Sequence, residues 1–325
     1  MRAPKFWSNK DSPVGIFLDP IGSLYGGITA LRLKVTSSVT APIPVICVGN
    51  ISVGGTGKSP IAANLAEKLR SMGRRPAILT GGYGGQLKGP LRVDPNIHSV
   101  ADVGDEALVH SRLIPTWVSR RRAKAITAAL DEEIDVLIMD DGHQHASLDK
   151  TLSILVIDGN VGFGNGRMIP AGPLRESPQS GLARTDAVVL IGSDDTNLPP
   201  LLPAHIPIYG ANLIPGPEGA QLKNCKVVAF AGIGNPTKFF DTLIDLGALV
   251  VSAHTFDDHH LFQESDIQPI LDEAFALDAL PVTTEKDAVR LAPDHRQQVN
   301  VLSVSVQWNN VKAIDNLLVK ALDSF

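Results

Sequence analysis

The stretch Val45-Ile46-Cys47-Val48-Gly49-Asn50-Ile51-Ser52-Val53-Gly54-Gly55-Thr56-Gly57-Lys58-Ser59-Pro60 decides how this chain is read. Its apolar opening has the pattern of a buried strand. The run stops at a glycine-rich turn that ends in Gly-Lys-Ser. Ile61, Leu65, Leu69 and Met72 then recur as one face of a helix. Strand, glycine turn, Lys-Ser, helix is the phosphate-binding P-loop arrangement. Glycines let backbone N–H groups converge on phosphate oxygens, and the helix N-terminus adds partial positive charge. Residues Ser52, Val53, Gly54, Gly55, Thr56, Gly57, Lys58 and Ser59 are therefore expected to bind the phosphates of a nucleotide. Lys58 reaches the β/γ-phosphates and the Ser59 hydroxyl ligates Mg²⁺. One departure stands out: where the strict pattern wants its first glycine, the chain has Ser52. Gly54 and Gly55 can supply the missing flexibility.

Composition bounds what surrounds this loop. The chain has 325 residues, 44% of them hydrophobic, and a formal net charge of -5. That length predicts about two domains, and that charge argues against bulk nucleic-acid binding. The two cysteines, Cys47 and Cys225, lie far apart, which fits a reducing cytoplasm better than a disulfide framework. No Cys or His spacing suggests zinc. No segment reaches 18 uninterrupted apolar residues, so no membrane span is expected. Near the start, Val14, Phe17, Leu18, Ile21, Leu24, Tyr25, Ile28 and Leu31 fall at helical spacing, flanked by Arg2, Lys5, Lys10, Arg32 and Lys34. Asp19-Pro20 is expected to divide the stretch into a turn and a helix from about Ile21. Such a stripe suits either an interfacial anchor or a helix packed on the core.

Apolar runs at 77–80, 136–139, 154–157 and 187–191 alternate with helical patterns, which argues an α/β fold with a parallel sheet. Prolines accumulate across 198–217 and read as a linker. Further runs at 227–230, 249–252, 281–284 and 301–304 indicate a second α/β unit, with a closing helix from about Val311. The expected organisation is a P-loop NTPase-like domain over 1–205, a linker over 206–224, and a smaller α/β domain over 225–325 that contributes to the active site.

Several groups sit where chemistry happens in such a fold. Asp140-Asp141 ends an apolar strand, the place from which a P-loop enzyme reaches its Mg²⁺. Either aspartate suits that role. Glu106 is a further oxygen donor for the ion. Gln144 and His145 fall at the same sheet edge and could orient substrate. Asp105, behind Gly104 at a helix start, could accept a proton from an attacking hydroxyl, or cap the helix. Arg175 and Glu176 end a glycine/proline loop suited to phosphate contacts. Arg120-Arg121-Arg122 with Lys124 could meet an anionic head group. Asp257-Asp258-His259-His260 suggests an oriented imidazole or a metal ligand.

These pieces together resemble the tetraacyldisaccharide 4'-kinases of lipid A biosynthesis. The matching residues are Gly49-Asn50 through Gly-Gly-Thr-Gly-Lys-Ser-Pro, Val103-Gly104-Asp105-Glu106, Asp140-Asp141-Gly142 with Gln144-His145, and Pro170 through Glu176. Phe230 through Pro236, Asp258-His259-His260 and Thr284 through Ala288 continue the match, as do Phe6-Trp7 and Leu24-Tyr25-Gly26. The resemblance implies transfer of the ATP γ-phosphate to the 4'-hydroxyl of a tetraacylated disaccharide 1-phosphate, giving the 1,4'-bisphosphate (lipid IVA). It implies Mg²⁺, peripheral attachment to the cytoplasmic leaflet of the inner membrane, and an Asp105–His259 pair that deprotonates the hydroxyl. Two departures are visible. Such proteins usually carry Ser-Arg-Gly-Tyr-Gly-Arg, where this chain has Thr80-Gly81-Gly82-Tyr83-Gly84-Gly85 and lacks both arginines. The residue after Asp-Asp-Gly is usually apolar and here is His143, which is given no catalytic role. The competing reading is a P-loop ATPase or GTPase of metallochaperone or partitioning type, with His143, His145, His259 and His260 as metal ligands.

Overall fold

The computed structural model describes residues 4–130 and 132–325, so Arg2 of the basic flank lies outside the described residues. The strands are β1 (Val45–Gly49), β2 (Pro76–Thr80), β3 (Leu91–Arg92), β4 (Thr116–Val118), β5 (Val136–Asp140), β6 (Leu152–Asp158) and β7 (Ala187–Ile191). They continue with β8 (Ile208–Pro215), β9 (Lys226–Ala231), β10 (Leu249–Thr255), β11 (Leu280–Thr284), β12 (Asn300–Leu302) and β13 (Val304–Trp308). Among the described residues they form two sheets. The larger runs β13-β8-β7-β6-β1-β5-β2-β4-β3 and the smaller β10-β9-β11-β12. Within the larger sheet only the edge pairs β13–β8 and β3–β4 are antiparallel. The parallel α/β architecture expected from the alternating pattern is the one observed. Parallel strands are covered on both faces, which is why β1, β2 and β5 are buried throughout and apolar up to the Thr80 and Asp140 that end β2 and β5.

The helix Lys58–Ser71 lays Ile61, Leu65 and Leu69, all fully buried, onto one face of the sheet. Each such side chain contributes roughly 2 kcal/mol. The helix Arg122–Leu130 covers the opposite face with Ala125, Ile126 and Ala129. β1 lies centrally between β5 and β6, so the P-loop emerges at the middle of the sheet's carboxyl edge, and β5 delivers Asp140 beside it. Ligands in open α/β sheets bind at that edge.

The structure changes two parts of the sequence reading. The segment 206–224, read as a linker, contains β8, which pairs with β7 and β13 inside the large sheet. Pro207 and Pro215 bracket a proline-free run instead of interrupting it. Residues 304–325, read with the smaller domain, also belong to the large sheet. The apolar run at 301–304 is split at Ser303: β12 closes the small sheet and β13 crosses back. The helix Val311–Asp323 then buries Ile314 and Leu318 against the core beside the P-loop helix, and Trp308 Nε1 donates to Asn64 Oδ1 at 2.7 Å. The smaller lobe, from β9 to β12, is thus inserted between two strands of the larger one.

The N-terminal segment also differs. One helix runs unbroken over Pro13–Val35 with Pro20 inside it, capped by Ser12. A proline costs one hydrogen bond, and this helix continues across the loss. Its buried residues are Gly15, Gly22 and Gly26. A Cβ on Gly22 would come 2.6 Å from the Met168 carbonyl oxygen, and one on Gly26 2.1 Å from Met168 Sδ. The glycine face therefore seats the helix on the 165–171 loop, while Val14, Phe17, Ile21, Leu24, Ile28 and Leu31 point outward and are exposed. By length and composition this helix could also cross a membrane, a possibility the uninterrupted-run criterion did not register.

Candidate active site

Gly57 holds the turn of the P-loop. Its φ is 82°, and a Cβ there would lie 2.5 Å from Ile191 Cδ1, so glycine is needed on both counts. The loop is clasped from outside by the 173–175 segment: Val53 N–H donates to Pro173 O at 2.8 Å and Arg175 N–H to Ile51 O at 2.7 Å. Inside it, Asn50 Nδ2 donates to Thr56 Oγ1 at 3.0 Å. Lys58 and Ser59 are largely buried at the start of their helix. Lys58 Nζ lies 3.6 Å from Asp141 Oδ1, so loop and strand end meet as the spacing implied.

The two aspartates differ. Asp140 is fully buried, with Oδ2 accepting from His110 Nε2 at 2.8 Å and Oδ1 without a partner among the described residues. Asp141, at φ 53°, takes Arg175 Nη1 on both oxygens at 3.0 and 2.9 Å. Burial opposes ionisation of both. It is outweighed at Asp140 by His110 and Lys58, and at Asp141 by Lys58 and Arg175, so both carboxyls stay below the usual range. No cluster of three or more His, Cys, Asp or Glu among the described residues could hold a metal by itself. An ion kept by one or two carboxylates, a serine hydroxyl and nucleotide phosphates needs no such cluster, and that oxygen-rich pattern is typical of Mg²⁺. The buried, unpartnered Asp140 Oδ1 fits it. Glu106 has one oxygen engaged by Lys286 Nζ at 2.6 Å.

Asp105 and His259 come from different lobes and meet: His259 Nδ1 donates to Asp105 Oδ2 at 2.8 Å. The same oxygen accepts from Arg290 Nη2 at 2.5 Å and Nε at 3.1 Å, and Arg290 is itself held by Asp287 at 3.0 Å. Burial works against the Asp105 charge, but the His259 hydrogen bond and the Arg290 guanidinium hold its carboxyl far below the usual range. The hydrogen bond that His259 donates to Asp105 raises the His259 pKa above its ordinary value, ahead of an opposing burial effect. His259 adopts φ 60°, a conformation uncommon outside glycine, and its N–H donates to Gly232 O at 3.1 Å. Strain of this kind persists where surrounding bonds over-determine it. The exposed Tyr83 ring lies 5.5 Å from the imidazole.

The expected substrate-binding residues separate into two groups. Glu176 is buried, with both oxygens on Arg184 and one also on Gln144, whose Nε2 donates to Asn50 O at 2.7 Å. Glu176 and Gln144 therefore brace the base of the P-loop, a role their position at the sheet edge did not reveal. Arg175, His145 and Arg120 keep partly open faces. Burial first, then the Arg122 guanidinium, lowers His145 to about 4, so its ring is neutral near pH 7. Arg122 is fully buried, and a Cβ on Gly81 would lie 3.0 Å from its Nη2. A guanidinium thus sits where an arginine at 81 would begin. At Gly85 a Cβ would press within 2.6 Å of the Val103 carbonyl carbon, so no arginine fits there without a backbone shift.

The four histidines of the metallochaperone reading do not converge. His143 is buried against Gly181 O at 3.0 Å, His259 is on Asp105, and His260 is on Asp266 at 2.9 Å. Three contributors escaped the sequence reading: Arg290, Lys286 and His110. Lys286 lies beside Asp287 on the short helix Glu285–Ala288 and Arg290 just beyond its end, but only the folded contact between lobes shows what they touch.

A family model described as Tetraacyldisaccharide-1-P 4'-kinase matches residues 14–323. A tetraacyldisaccharide 4'-kinase of Rhodospirillum rubrum is 52% identical over 322 residues, covering 98% of this chain and 97% of its own. The one of Paramagnetospirillum magneticum is 52% identical over 310 residues, covering 95% of each. The crystal structure of LpxK from Aquifex aeolicus in complex with ATP superposes with a TM-score of 0.78 at 28% identity, covering 95% of this chain and 99% of that one.

Proposed function

The chain belongs to the tetraacyldisaccharide-1-P 4'-kinase family, and we propose that it phosphorylates its lipid through a base assembled between its two lobes. It is a kinase of lipid A biosynthesis that uses ATP and acts on a tetraacyldisaccharide 1-phosphate. The 4'-hydroxyl is the acceptor and the 1,4'-bisphosphate the product. The observation that carries the mechanism is the hydrogen bond from His259 to the buried Asp105, whose carboxyl Arg290 also holds.

Asp105 accepts from Nδ1–H and so leaves Nε2 as the basic nitrogen facing the substrate. His259 Nε2 takes the proton of the 4'-hydroxyl as its oxygen bonds to the γ-phosphorus and the bond to the ADP oxygen breaks. Asp105 stabilises the imidazolium without accepting the proton. Arg290 keeps Asp105 anionic and fixed. On the donor side the P-loop N–H groups from Ser52 to Ser59 cradle the phosphates, and Lys58 neutralises charge that grows on the β/γ oxygens. Mg²⁺ bound with the nucleotide would be held by Ser59 and Asp140, with Asp141 and Glu106 beside it, and would neutralise the transferring group. Arg175, His145 and Arg120 line the approach for the anionic sugar, with Tyr83 against the base.

The lipid acceptor motivates a membrane role for the helix Pro13–Val35. Its glycine face is spent on the protein and its large apolar side chains face out. Lys10, Arg32 and Lys34 flank them and suit anionic head groups. A helix tied to its own domain along one face lies on the bilayer instead of crossing it. We place the enzyme peripherally on the cytoplasmic leaflet of the inner membrane.

Incubation with γ-labelled ATP and the tetraacyl disaccharide 1-phosphate, followed by lipid extraction and thin-layer separation, tests the activity. Label should enter the lipid, and the His259→Ala and Asp105→Ala proteins should transfer it 10²- to 10⁴-fold more slowly. Equal rates in the variants would remove the base assignment.

A further inference from the structure

His110 is an unusual residue to find where it lies. It sits in the helix Asp105–Ser111, fully inside the protein, and its Nε2–H donates to Asp140 Oδ2 at 2.8 Å. Neither side chain has more than trace exposure. The other ring nitrogen, Nδ1, has no partner among the described residues, and neither does the second carboxylate oxygen, Asp140 Oδ1. The imidazole therefore has one polar contact, and that contact is to the strand-end carboxylate.

We propose that His110 is a positioning residue that fixes the rotation of the Asp140 carboxylate and so holds Oδ1 in place for Mg²⁺ and the transferring phosphate. The proposal rests on the reading of Asp140 as a metal ligand given above. A buried carboxylate with one oxygen pinned cannot turn about its Cβ–Cγ bond without losing that bond. A carboxylate with both oxygens free can adopt many orientations, only some of which suit an ion that demands near-ideal octahedral geometry. Partners standing behind a metal ligand commonly change metal affinity or activity by about 10- to 100-fold when removed.

The placement has a second consequence. Asp105, the anchor of the base, opens the same helix, and His110 follows five residues later, about 7.5 Å along its axis. One short rigid element thus holds the group that orients the base and the group that orients the metal carboxylate. Glu106 between them takes Lys286 of the smaller lobe at 2.6 Å. The separation of acceptor and donor machinery is set by the rise of a helix, not by a loop.

The test uses the full-length protein and four variants. His110→Leu removes the donor. His110→Gln keeps an N–H near the Nε2 position, and His110→Asn moves it to the Nδ1 position. Asp140→Asn is the reference for loss of the ligand. Mn²⁺ binding in the presence of a non-hydrolysable ATP analogue is read by electron paramagnetic resonance, alongside kcat, the Mg²⁺ concentration for half-maximal rate, and KM for lipid. His110→Leu and His110→Asn should weaken Mn²⁺ binding and raise the Mg²⁺ requirement by about 10- to 100-fold, with KM for lipid unmoved. His110→Gln should recover most of that loss. If Gln and Asn behave alike, or if both bind Mn²⁺ as the wild type does while Asp140→Asn does not, His110 is not a positioning residue. If Asp140→Asn also binds Mn²⁺ normally, the metal-ligand reading beneath it fails instead. The Gln and Asn variants preserve polarity, so the comparison survives an unfolded His110→Leu.

Discussion

Replacing Phe17, Leu24 and Leu31 together with serine should release the kinase from membranes without unfolding it. These side chains are 81%, 66% and 61% exposed, so they contribute little to the folded core. Full burial of such a side chain contributes about 2 kcal/mol. Scaled by those exposures, the three contribute about 4 kcal/mol when fully immersed and about half that at partial depth. Every 1.4 kcal/mol is tenfold, so partitioning onto vesicles should fall between about 30-fold and about 10³-fold. Serine also lowers helix propensity by a few tenths of a kcal/mol per site, which in a protein this large costs only a few degrees of Tm. The assay is co-sedimentation with vesicles containing anionic phospholipid, run beside thermal unfolding. KM for the lipid should rise while KM for ATP stays put. A variant that remains folded and sediments like the wild type would refute the reasoning and move the anchor elsewhere, with Arg120 to Lys124 the next candidate. A collapse of Tm by ten degrees or more would refute it differently, by showing that the stripe is packed.

Lys58→Ala should abolish transfer, since the lysine acts where charge accumulates in the transition state; Ser59→Ala should weaken the Mg²⁺ dependence, and near-normal turnover of the Lys58 variant would end the P-loop assignment. Asp105→Ala and His259→Ala should each cut kcat by 10²- to 10⁴-fold, and the double variant by far less than the product, because the two act as one unit; multiplicative losses in a kinetic cycle would argue against a dyad. A base must be neutral to act, so kcat/KM should rise with pH through the elevated His259 pKa, and Asp105→Asn should move that limb to lower pH. The stability that His259 gains from Asp105 is fully present below its unfolded pKa and fades as pH rises through the higher folded value, which denaturant titrations at several pH values can follow. Arg290→Met should destabilise the protein by about 3–5 kcal/mol, because it leaves Asp105 and Asp287 as buried charges without their common partner; a loss under 1 kcal/mol in urea unfolding would show that the triad is not held as described.

Much of the large domain was legible because its signals are local. A buried parallel strand is an apolar run, a P-loop is a fixed spacing of glycines before Lys58, and Asp140 ends the apolar run at 136–139. Pairing between distant segments was not legible. β8 was hidden by the prolines that bracket it, and β13 by its continuity with β12; nothing in either run says which sheet will receive it. The N-terminal stripe left two readings open; spacing alone did not show that Gly15, Gly22 and Gly26 would face the protein while the large apolar side chains stay exposed. At the site, Asp105 and His259 could be named from the family resemblance, but residue types and spacing could not join positions 154 apart. Arg290 and His110 carry no motif at all. Their importance comes from low dielectric surroundings, where each buried carboxylate must find a donor.

The return of the chain to the large sheet bears on how the protein emerges from the ribosome. β8 is synthesised before the smaller lobe, yet its antiparallel neighbour β13 appears only after the whole of that lobe has been made. Trp308, Ile314 and Leu318, which close the core over the P-loop helix, are also translated after that lobe. A nascent chain halted at about residue 303 holds every phosphate-binding residue and the entire smaller lobe. Its large sheet still has an open edge at β8 and an uncovered apolar face. Exposed edges and faces of this kind recruit other chains. Synthesis therefore leaves the nucleotide-binding lobe incomplete until residues 304–323 clear the tunnel, and the inserted lobe, whose four strands are contiguous in sequence, is free to fold first.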